Sequence, residues 1–314
     1  MIRLGTRGSP LALCQARLVA ERLTRAGVEV SIVPMRTEGD RRLDAHLAAV
    51  GGKGLFVREI EEALLGGAID VAVHSLKDLP AELPAGLCLA AYPEREDPRD
   101  VLVTRQGGGL EDLAAGATVG TSSPRRGAIA RSLRPDLAVV PVRGNVDTRL
   151  RKLAAGELDA LILAVAGLRR LGLSPAHPRL LDVDVFVPAV GQGILGIEAR
   201  RDDARTLGLV EQLDDRATRC RAMAERACLG RLGASCATPL AAHATLTSAG
   251  LGLTALVASE DGRRVLRARA AGPADAAERL GRQVAESLLA DGAASIVPLA
   301  PALAGAGRGG THGG

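Results

Sequence analysis

The sequence predicts an α/β protein with mostly parallel sheets, followed by a smaller α+β domain. Up to about residue 200, short β-branched runs alternate with amphipathic helical stretches, which is the pattern of strand–helix units. In the last hundred residues, three consecutive strand-like runs lie between two helical stretches. The length of 314 residues exceeds the ~250 residues at which one hydrophobic core tends to divide, so two or three domains are expected.

Each element is predicted from its apolar spacing and from the Gly, Pro and Asp residues that bound it. The predicted strands are 29–35, 70–75, 87–92, 100–104, 117–121, 136–142, 160–165, 239–247, 251–259 and 263–271. The predicted helices are 10–26, 55–66, 124–134, 146–155, 215–230 and 274–290. The Gly- and Ala-rich tail, 301–314, is predicted to be disordered.

Composition excludes several function classes. The 40 basic residues are 37 Arg and three Lys, and the aromatic residues are Phe56, Tyr92 and Phe186 alone. Such a chain cannot build the row of aromatic platforms that single-stranded nucleic acids stack on. The net charge is only +4, and the arginines are interleaved with 36 acidic residues, which disfavours a continuous basic stripe for binding duplex DNA. We therefore expect no nucleic-acid partner, but a few basic pockets for a small anionic ligand remain plausible.

The sequence also predicts a cytoplasmic protein without a membrane partner, since it has neither a run of about 18 apolar residues nor a signal-peptide core. Its odd number of cysteines includes no C-x-x-C pair, which argues against a disulfide framework and a structural zinc site. We therefore predict no bound metal. The cysteines are Cys14, Cys88, Cys220, Cys228 and Cys236.

Two helices are predicted to begin in the same way, with Gly-Thr at the end of a strand and Ser-Pro shortly after it. The copies are 5–10 and 120–124. Ser is a favoured N-cap and Pro a favoured first helical residue, so each copy points backbone N–H groups outward from the end of a strand. Arg7 beside the first copy, and Arg125 and Arg126 inside the second, favour an anion site. The alternative is two well-capped helices with nothing bound.

A strand that ends in ionisable residues is the best candidate for chemistry. His74, Lys77 and Asp78 follow the apolar run from residue 70, and Pro80 stops it. Catalytic groups collect at strand ends, and a carboxylate at Asp78, held near Lys77 and His74, would stabilise a cationic intermediate or move protons. The alternative is a turn with a solvated ion pair.

A glycine-rich loop at 50–56 lacks the spacing of a P-loop, and its Lys53 and Phe56 suggest a lid as readily as a helix-entry turn. Two more arginines, Arg143 and Arg149, lie near a predicted helix start, and the pair 169–170 follows the apolar run at 160–168. Because guanidinium groups bind carboxylates bidentately, they suggest a ligand with several carboxylates, although a phosphorylated ligand fits equally well.

Cys236 lies among small residues and is either an accessible covalent anchor or an inert thiol. Cys228 is expected to be buried.

Together these motifs resemble the porphobilinogen deaminase, or hydroxymethylbilane synthase, family. The resemblance covers nearly the whole chain, and nine motifs occur in order. They are TRGSPLAL from residue 6, GGKGLFVREIE from 51, DVAVHSLKDLP from 70, EREDPRDVLV from 94, VGTSSPRR from 119, VRGNVDTRL from 142, LILAVAGLRRLGL from 161, PAVGQGILGIE from 188 and ERACLGRLGASC from 225.

This resemblance implies two lobes like those of periplasmic binding proteins, of type II with doubly wound mixed sheets, and a C-terminal α+β domain with a three-stranded sheet. The first lobe is expected at 1–93 and 194–211, the second at 99–187, and the C-terminal domain at 216–300. The implied enzyme is a monomer that joins four porphobilinogen molecules head to tail, with loss of ammonia, and releases hydroxymethylbilane for tetrapyrrole synthesis.

Residue roles follow from the same resemblance. Asp78 is the implied catalytic residue, and Cys236 would carry a dipyrromethane cofactor through a thioether. Lys53 and Phe56 would lie in a loop over the site. The implied cofactor contacts are Lys77, Asp78, Thr121, Ser122, Ser123, Arg125, Arg126, Arg143 and Gly144. The implied substrate contacts are Arg7, Ser9, Arg143, Arg149, Arg170 and Gln192.

The chain departs from the family pattern at two places. Ala234 and Ser235 precede Cys236 where Gly-Gly is common, and Ala49 stands where a basic residue often precedes the loop. The small side chains leave attachment feasible but change the loop before the thiol. A two-lobed binding protein without catalysis is the competing interpretation. It would need neither Asp78 nor Cys236, and it would normally carry the export signal that the sequence lacks.

Overall fold

A computed structural model describes residues 1–35, 57–234 and 237–299. The predicted tail at 301–314 lies outside these ranges, as do Ala49 and the predicted loop. The strands are β1 Ile2–Arg7, β2 Val30–Met35, β3 Val71–Ser75, β4 Leu87–Ala91, β5 Asp100–Thr104, β6 Thr118–Gly120, β7 Ala138–Val140, β8 Ala160–Ala164, β9 Pro178–Leu180, β10 Leu195–Arg200, β11 Leu240–Thr247, β12 Gly250–Ala258 and β13 Val265–Gly272. The α-helices are α1 Pro10–Arg25, α2 Arg58–Leu65, α3 Pro124–Leu133, α4 Val146–Ala154, α5 Val165–Arg170, α6 Ala204–Val210, α7 Arg216–Leu232 and α8 Ala277–Ala290.

Two five-stranded sheets form the two lobes. The first lobe has the order β2-β1-β3-β10-β4 and the second lobe the order β7-β6-β8-β5-β9. In each lobe one strand directly follows a passage of the chain from the other lobe, namely β10 in the first lobe and β5 in the second. If the remaining four strands are numbered in chain order, both sheets read second, first, third, crossing strand, fourth. Each sheet has two parallel and two antiparallel pairings. The mixed sheets implied by the family resemblance are confirmed. The alternation of strands and helices predicted mostly parallel pairing, but only half of the pairings are parallel.

Amphipathic spacing explains the helices that cover these sheets. In α1, the residues Gln15, Ala16, Val19 and Leu23 are buried, as spacings of three and four residues require. The three apolar residues of this set join Leu4 in the core of the first lobe. The helix ends before Gly27, whose φ of +81° suits the chain reversal that follows.

β1 was expected only as the strand, without stated bounds, that ends at the first Gly-Thr. Four further elements were not predicted, and each is short or polar for its type. β10 carries Glu198 and Arg200, which interrupt its apolar run, and β9 has three exposed residues. α5 starts immediately after β8, so the two elements together read as a single apolar run. α6 is the fourth.

The chain passes between the lobes twice, at 92–99 and 188–194, and these two stretches form the hinge. The amide of Glu96 donates to the carbonyl oxygen of Gly193 across the hinge at 3.1 Å. Gly193 has a φ of +87°, and a Cβ there would collide with the same Glu96 carbonyl group. Glycine is therefore required for the two crossings to approach each other this closely.

The C-terminal domain is a three-stranded antiparallel sheet, β11-β12-β13, packed against α7 and α8. Cys228 is fully buried in its core, as predicted, and burial raises the pKa of this thiol to about 12. Every sheet of the described chain takes its strands from within one predicted domain, but the exact domain boundaries stay a prediction. No described helix has the length and apolar character needed to cross a membrane.

This domain packs against both lobes. Ala222 of α7 shares an apolar cluster with Leu76 and Tyr92 of the first lobe. Leu256 of β12 packs in the same apolar cluster as Ala128 in α3 of the second lobe. The C-terminal domain is therefore held by each of the parts that the hinge connects.

The contact between α7 and α8 gives a stability prediction. A Cβ at Gly281 of α8 would overlap the carbonyl oxygen of Ala224 and lie 2.8 Å from Cβ of Ala227. We expect Gly281→Ala to lower the free energy of unfolding by about 1–3 kcal/mol because of this overpacking.

The matched control is Gly208→Ala in α6, where a Cβ would meet nothing within 4 Å. It should raise stability by up to about 1 kcal/mol through helix propensity. Urea unfolding of the two variants tests this, and equal midpoints would show that the helices do not pack as described.

Candidate active site

A cleft lies between the lobes, next to the hinge. Its walls come from α1 and the end of β3 in the first lobe, and from α3, α4 and α5 in the second. The polar side chains that line it are Gln15, Ser75, Lys77, Arg126 and Arg170. The two predicted helix starts therefore contribute to one cleft, one from each lobe.

The end of β3 places the predicted catalytic segment beside the hinge. Residues Leu76–Asp78 form one turn of 3-10 helix, and the amide of Leu76 donates to the carbonyl oxygen of Ile194 at 3.0 Å. The side chain of Leu76 is buried, Lys77 is half-buried and lines the cleft, and Asp78 is exposed. The strand end is thus fixed by its apolar residue while its charged residues stay accessible to a ligand.

His74 does not share this site. Its Nε2 atom lies 2.9 Å from Oε2 of Glu198, and both side chains are buried between β3 and β10. Side chains alternate along a strand, and Ser75 is the one that lines the cleft. The prediction that placed His74 with Lys77 and Asp78 is therefore wrong.

Both helix starts have the predicted caps. The hydroxyl of Ser9 accepts from the amide of Ala12 at 3.3 Å, and that of Ser123 accepts from the amide of Arg126 at 3.4 Å. A proline follows each serine as the first helical residue. Each hydroxyl thus satisfies one N–H group of its own helix.

The hydroxyls before the second helix also hold the backbone in place. Thr121 Oγ1 accepts from the amide of Ser123 at 3.2 Å. Ser122 Oγ donates to the carbonyl oxygen of Val142 at 2.6 Å and accepts from the Val142 amide at 3.1 Å. These bonds fix the loop that presents α3 to the cleft. Cofactor contacts from Thr121, Ser122 and Ser123 stay a prediction.

An unpredicted carboxylate, Asp100, lies between the two arginines of α3. Its Oδ1 accepts from Arg126 Nε at 3.0 Å and Nη2 at 2.8 Å, and its Oδ2 lies 2.7 Å from Arg125 Nη1. All three residues are buried. Burial alone would raise the pKa of Asp100, but the charges of Arg125 and Arg126 outweigh it and lower that pKa to about 2. The three groups together retain one positive charge.

Positive charge also accumulates on the opposite wall. Burial, together with the charges of Arg126 and Arg125, lowers the pKa of Lys77 to about 8, against the opposing effects of Asp78 and Asp100. Burial is the main cause, because it disfavours the charged form of Lys77, and the two guanidinium groups add to this effect. An anionic ligand bound there would stabilise the charged form.

Two further predicted arginines lie in the second lobe. Arg149 Nε donates to the carbonyl oxygen of Gly144 at 2.8 Å, and burial and the charge of Arg126 lower the pKa of Arg149. Arg170 Nη2 donates to the Gly193 carbonyl oxygen in the hinge at 2.6 Å, and burial lowers its pKa to about 10. The thiol of Cys14 in α1 donates to the carbonyl oxygen of Arg170 at 2.7 Å, and this hydrogen bond joins the two lobes.

Some predicted residues are not among those that line the cleft, so their contacts stay a prediction, and others lie outside the described residues. Arg7 ends β1, and Arg143 is exposed just before Gly144, whose φ is +104°. Gln192 is buried and bonded within the hinge, and it does not line the cleft. Cys236, Lys53 and Phe56 lie outside the described residues.

Sequence reasoning missed Gln15 and Ser75, which line the cleft and bond each other. Gln15 Nε2 donates to Ser75 Oγ at 2.8 Å. One signal was available, because Gln15 is an uncharged polar residue on the otherwise apolar buried face of α1. Such a residue needs a polar partner or a ligand.

Comparison with known proteins decides the family. The profile described as "Porphobilinogen deaminase, dipyromethane cofactor binding domain" matches residues 2–208, and the one described as "Porphobilinogen deaminase, C-terminal domain" matches residues 219–290. The chain belongs to the porphobilinogen deaminase family. The porphobilinogen deaminase of Syntrophotalea carbinolica is 51% identical over 298 residues, covering 94% of this chain and 95% of that protein.

A second relative of this family, the porphobilinogen deaminase of Roseiflexus sp., is 50% identical over 296 residues, covering 94% of this chain and 97% of that protein. Among solved structures, a periplasmic substrate-binding protein from Coxiella burnetii is similar at 19% identity and a TM-score of 0.43. That match covers 68% of this chain and 92% of the other.

The residues of the cleft fit the cofactor of the porphobilinogen deaminase family. A dipyrromethane carries several carboxylates, and the cleft offers Lys77, Arg126 and Arg170, whereas the carboxylate of Asp100 is already enclosed by arginines. The N–H groups of pyrrole rings need acceptors, and the exposed carboxylate of Asp78 follows Lys77 at the cleft wall. Donors for carboxylates and an acceptor for pyrroles thus lie together.

The buried ion triad gives a prediction for Asp100→Asn. The change leaves Arg125 and Arg126 buried without a counter-charge, so we expect a loss of about 3–5 kcal/mol in the free energy of unfolding at pH 7. A carboxylate whose pKa is lowered stabilises above its ordinary pKa and loses this effect as the pH falls towards 2. The deficit of the variant should therefore shrink with acidification.

Urea unfolding between pH 7 and pH 2 measures this deficit. Asp136→Asn is the control, because Asp136 pairs with Arg134 on the surface and should barely move the midpoint. A deficit that does not change with pH would contradict the electrostatic origin.

Proposed function

We propose that the cleft between the lobes condenses four porphobilinogen molecules head to tail, with loss of ammonia, on a dipyrromethane primer, and then hydrolytically releases hydroxymethylbilane. The observation that carries this proposal is the excess of cations over anions at the cleft. Lys77, Arg126 and Arg170 line it, and Arg149 is close enough to Arg126 for its pKa to be lowered. Each porphobilinogen ring brings an acetate and a propionate, so the growing chain supplies the missing negative charge.

Asp78 is the proposed catalytic residue. When the protonated aminomethyl group loses ammonia, its C–N bond breaks with the electron pair on nitrogen, and the remaining methylene-pyrrole carries the positive charge. A carboxylate fixed beside that ring lowers the barrier because it attracts charge that exists only after the bond has begun to break. Asp78 is suited to this role, since it is exposed and belongs to a turn that the hinge holds in place.

Lys77 and the arginines bind the acidic side chains of the substrate in this proposal. Guanidinium groups hold carboxylates in fixed bidentate geometry, and so orient the ring whose aminomethyl carbon reacts. Dipyrromethane, attached to Cys236 through a thioether, supplies the acceptor ring on which the chain grows. Arg7, Ser9, Arg143, Gly144 and the hydroxyls of residues 121–123 complete the proposed contacts, and Lys53 and Phe56 are proposed to cover the site.

We further propose that the protein acts as a cytoplasmic monomer with porphobilinogen as its small-molecule substrate. The small net charge of +4 and the scarcity of aromatic residues support the absence of a nucleic-acid partner. The predicted domains, 1–93 with 194–211, 99–187 and 216–300, are retained in this proposal.

Covalent attachment is tested by intact-mass spectrometry of the purified protein. We expect the wild type to carry the mass of one dipyrromethane, and Cys236→Ser to lack it because the thioether cannot form. Cys220→Ser, which changes a half-buried thiol of α7, should keep the added mass. A wild type at the mass of the bare chain would contradict the proposal.

The role of Asp78 is tested separately from attachment. We expect Asp78→Ala to keep the covalent group but to lose at least about 10²-fold in kcat, the loss typical of removing one electrostatic group from an active site. The control is Glu82→Ala, a neighbouring exposed carboxylate that should keep normal turnover. Turnover by Asp78→Ala close to that of the wild type would remove Asp78 from the mechanism.

A further inference from the structure

Gln192 was predicted as a direct substrate contact, but its surroundings point to another role. It is 1% exposed, and both ends of its amide are bonded inside the protein. Nε2 donates to the carbonyl oxygen of Pro98 at 2.7 Å and to Asp100 Oδ1 at 3.0 Å, and Oε1 accepts from Arg126 Nη2 at 3.4 Å. The amide thus uses its two donors and one acceptor position without a ligand.

The backbone of Gln192 leads to the C-terminal domain. Its carbonyl oxygen accepts from Arg95 Nε at 2.9 Å, and Arg95 Nη1 donates to Glu225 Oε1 at 2.7 Å. Glu225 of α7 is fully buried and also accepts from the amide of Gly191 at 2.7 Å. One carboxylate of the C-terminal domain therefore binds both crossings of the hinge.

These bonds form a continuous path from the C-terminal domain to the cleft. It runs from Glu225 through Arg95 to Gln192, and then through Asp100 to Arg126. Gln192 is the only uncharged side chain on this path, and it is the one that links its two ion pairs. Arg126 is the end of the path that reaches the cleft.

We propose that Gln192 is a positioning residue that couples the anchoring of the C-terminal domain on the hinge to the orientation of Arg126 in the cleft. This inference rests on the proposed anion-binding role of Arg126. Gln192 acts on the ligand through Arg126, so its loss weakens ligand binding while the chemistry at Asp78 is unchanged. A direct substrate contact would act independently of Arg126.

The main test uses Gln192→Met, which keeps the volume of the side chain. We expect KM for porphobilinogen to rise about ten-fold, as about 1.4 kcal/mol of lost binding produces, with kcat within about two-fold of the wild type. Gln212→Met, at an exposed glutamine, is the matched control and should leave both constants unchanged. A fall in kcat with unchanged KM would overturn the inference.

A double-mutant cycle separates positioning from direct contact. Arg126→Gln leaves Asp100 paired with Arg125, so the triad does not lose its only cation. If Gln192 acts through Arg126, the double variant Arg126→Gln/Gln192→Met should have the KM of Arg126→Gln alone. Multiplied effects would show that Gln192 binds substrate by itself and would overturn the inference.

The link to the C-terminal domain has its own test. Arg95→Lys keeps the charge facing Glu225 but removes the Nε–H group that bonds the Gln192 carbonyl oxygen. It should raise KM in the same direction as Gln192→Met, and the two changes combined should be less than multiplicative. An unchanged KM in Arg95→Lys would remove the C-terminal domain from the coupling.

Hydrogen exchange gives a readout that needs no turnover. In the Cys236→Ser background, the peptide spanning 188–194 should exchange faster in Gln192→Met than in Gln212→Met, because the hinge has lost its bond to Asp100. Equal exchange would contradict the positioning role. If the wild type turns over normally and Gln192→Met has the same kcat and KM, this inference alone is overturned. A wild type without the covalent group would instead count against the proposed function.

Discussion

A carboxylate buried between two guanidinium groups leaves one positive charge without an internal partner. Asp100 is such a carboxylate, and Arg125 and Arg126 enclose it at the start of α3. Bringing this triad out of water is costly, and the charge that remains must face either solvent or a ligand. Because Arg126 faces the cleft, the second lobe presents a site that attracts anions.

The same triad depends on the hinge. Gln192 reaches Asp100 from the second crossing, and Arg95 on the first crossing holds the backbone of Gln192. Gly193 allows the crossings to approach because its φ of +87° and missing side chain leave room for the Glu96 carbonyl group. The hinge is therefore a bonded structure and not a loose linker between two lobes. Movement of one lobe against the other has to preserve these buried bonds or exchange them for others.

Sequence reasoning was strongest where a pattern is local. Caps at Ser9 and Ser123 were predicted because N-capping depends on a few adjacent residues, and helices with regular apolar spacing were found within a few residues of their ends. β10 was missed because Glu198 interrupts its apolar run. The carboxylate of Glu198 is buried in the core, where His74, far away in sequence, lies 2.9 Å from it. No local pattern reveals such a partner.

The site shows the same limit. The arginines near helix starts were identified as anion ligands from position and type, but the carboxylate between two of them was not, since Asp100 opens a strand in an ordinary apolar run. Gln192 was assigned to substrate by resemblance, whereas its burial and its bonds to Asp100 and Pro98 can be learned only from the fold. Charge can be read from the sequence, but which charge is already neutralised cannot.

The two aspartates illustrate why this distinction matters for chemistry. Asp100 is buried among arginines, whose charges hold its pKa at about 2, and each of its oxygens lies 2.7–2.8 Å from a guanidinium nitrogen. Asp78 is exposed, follows Lys77 on the other lobe, and belongs to a turn that Leu76 fixes to the hinge through Ile194. A carboxylate that is to stabilise a short-lived cation has to be held in place without being neutralised by permanent cations. Arg126 and Arg170 lie on the second lobe and Asp78 on the first, so a substrate bound in the cleft as proposed would direct its own carboxylates towards these arginines and its reacting ring towards Asp78.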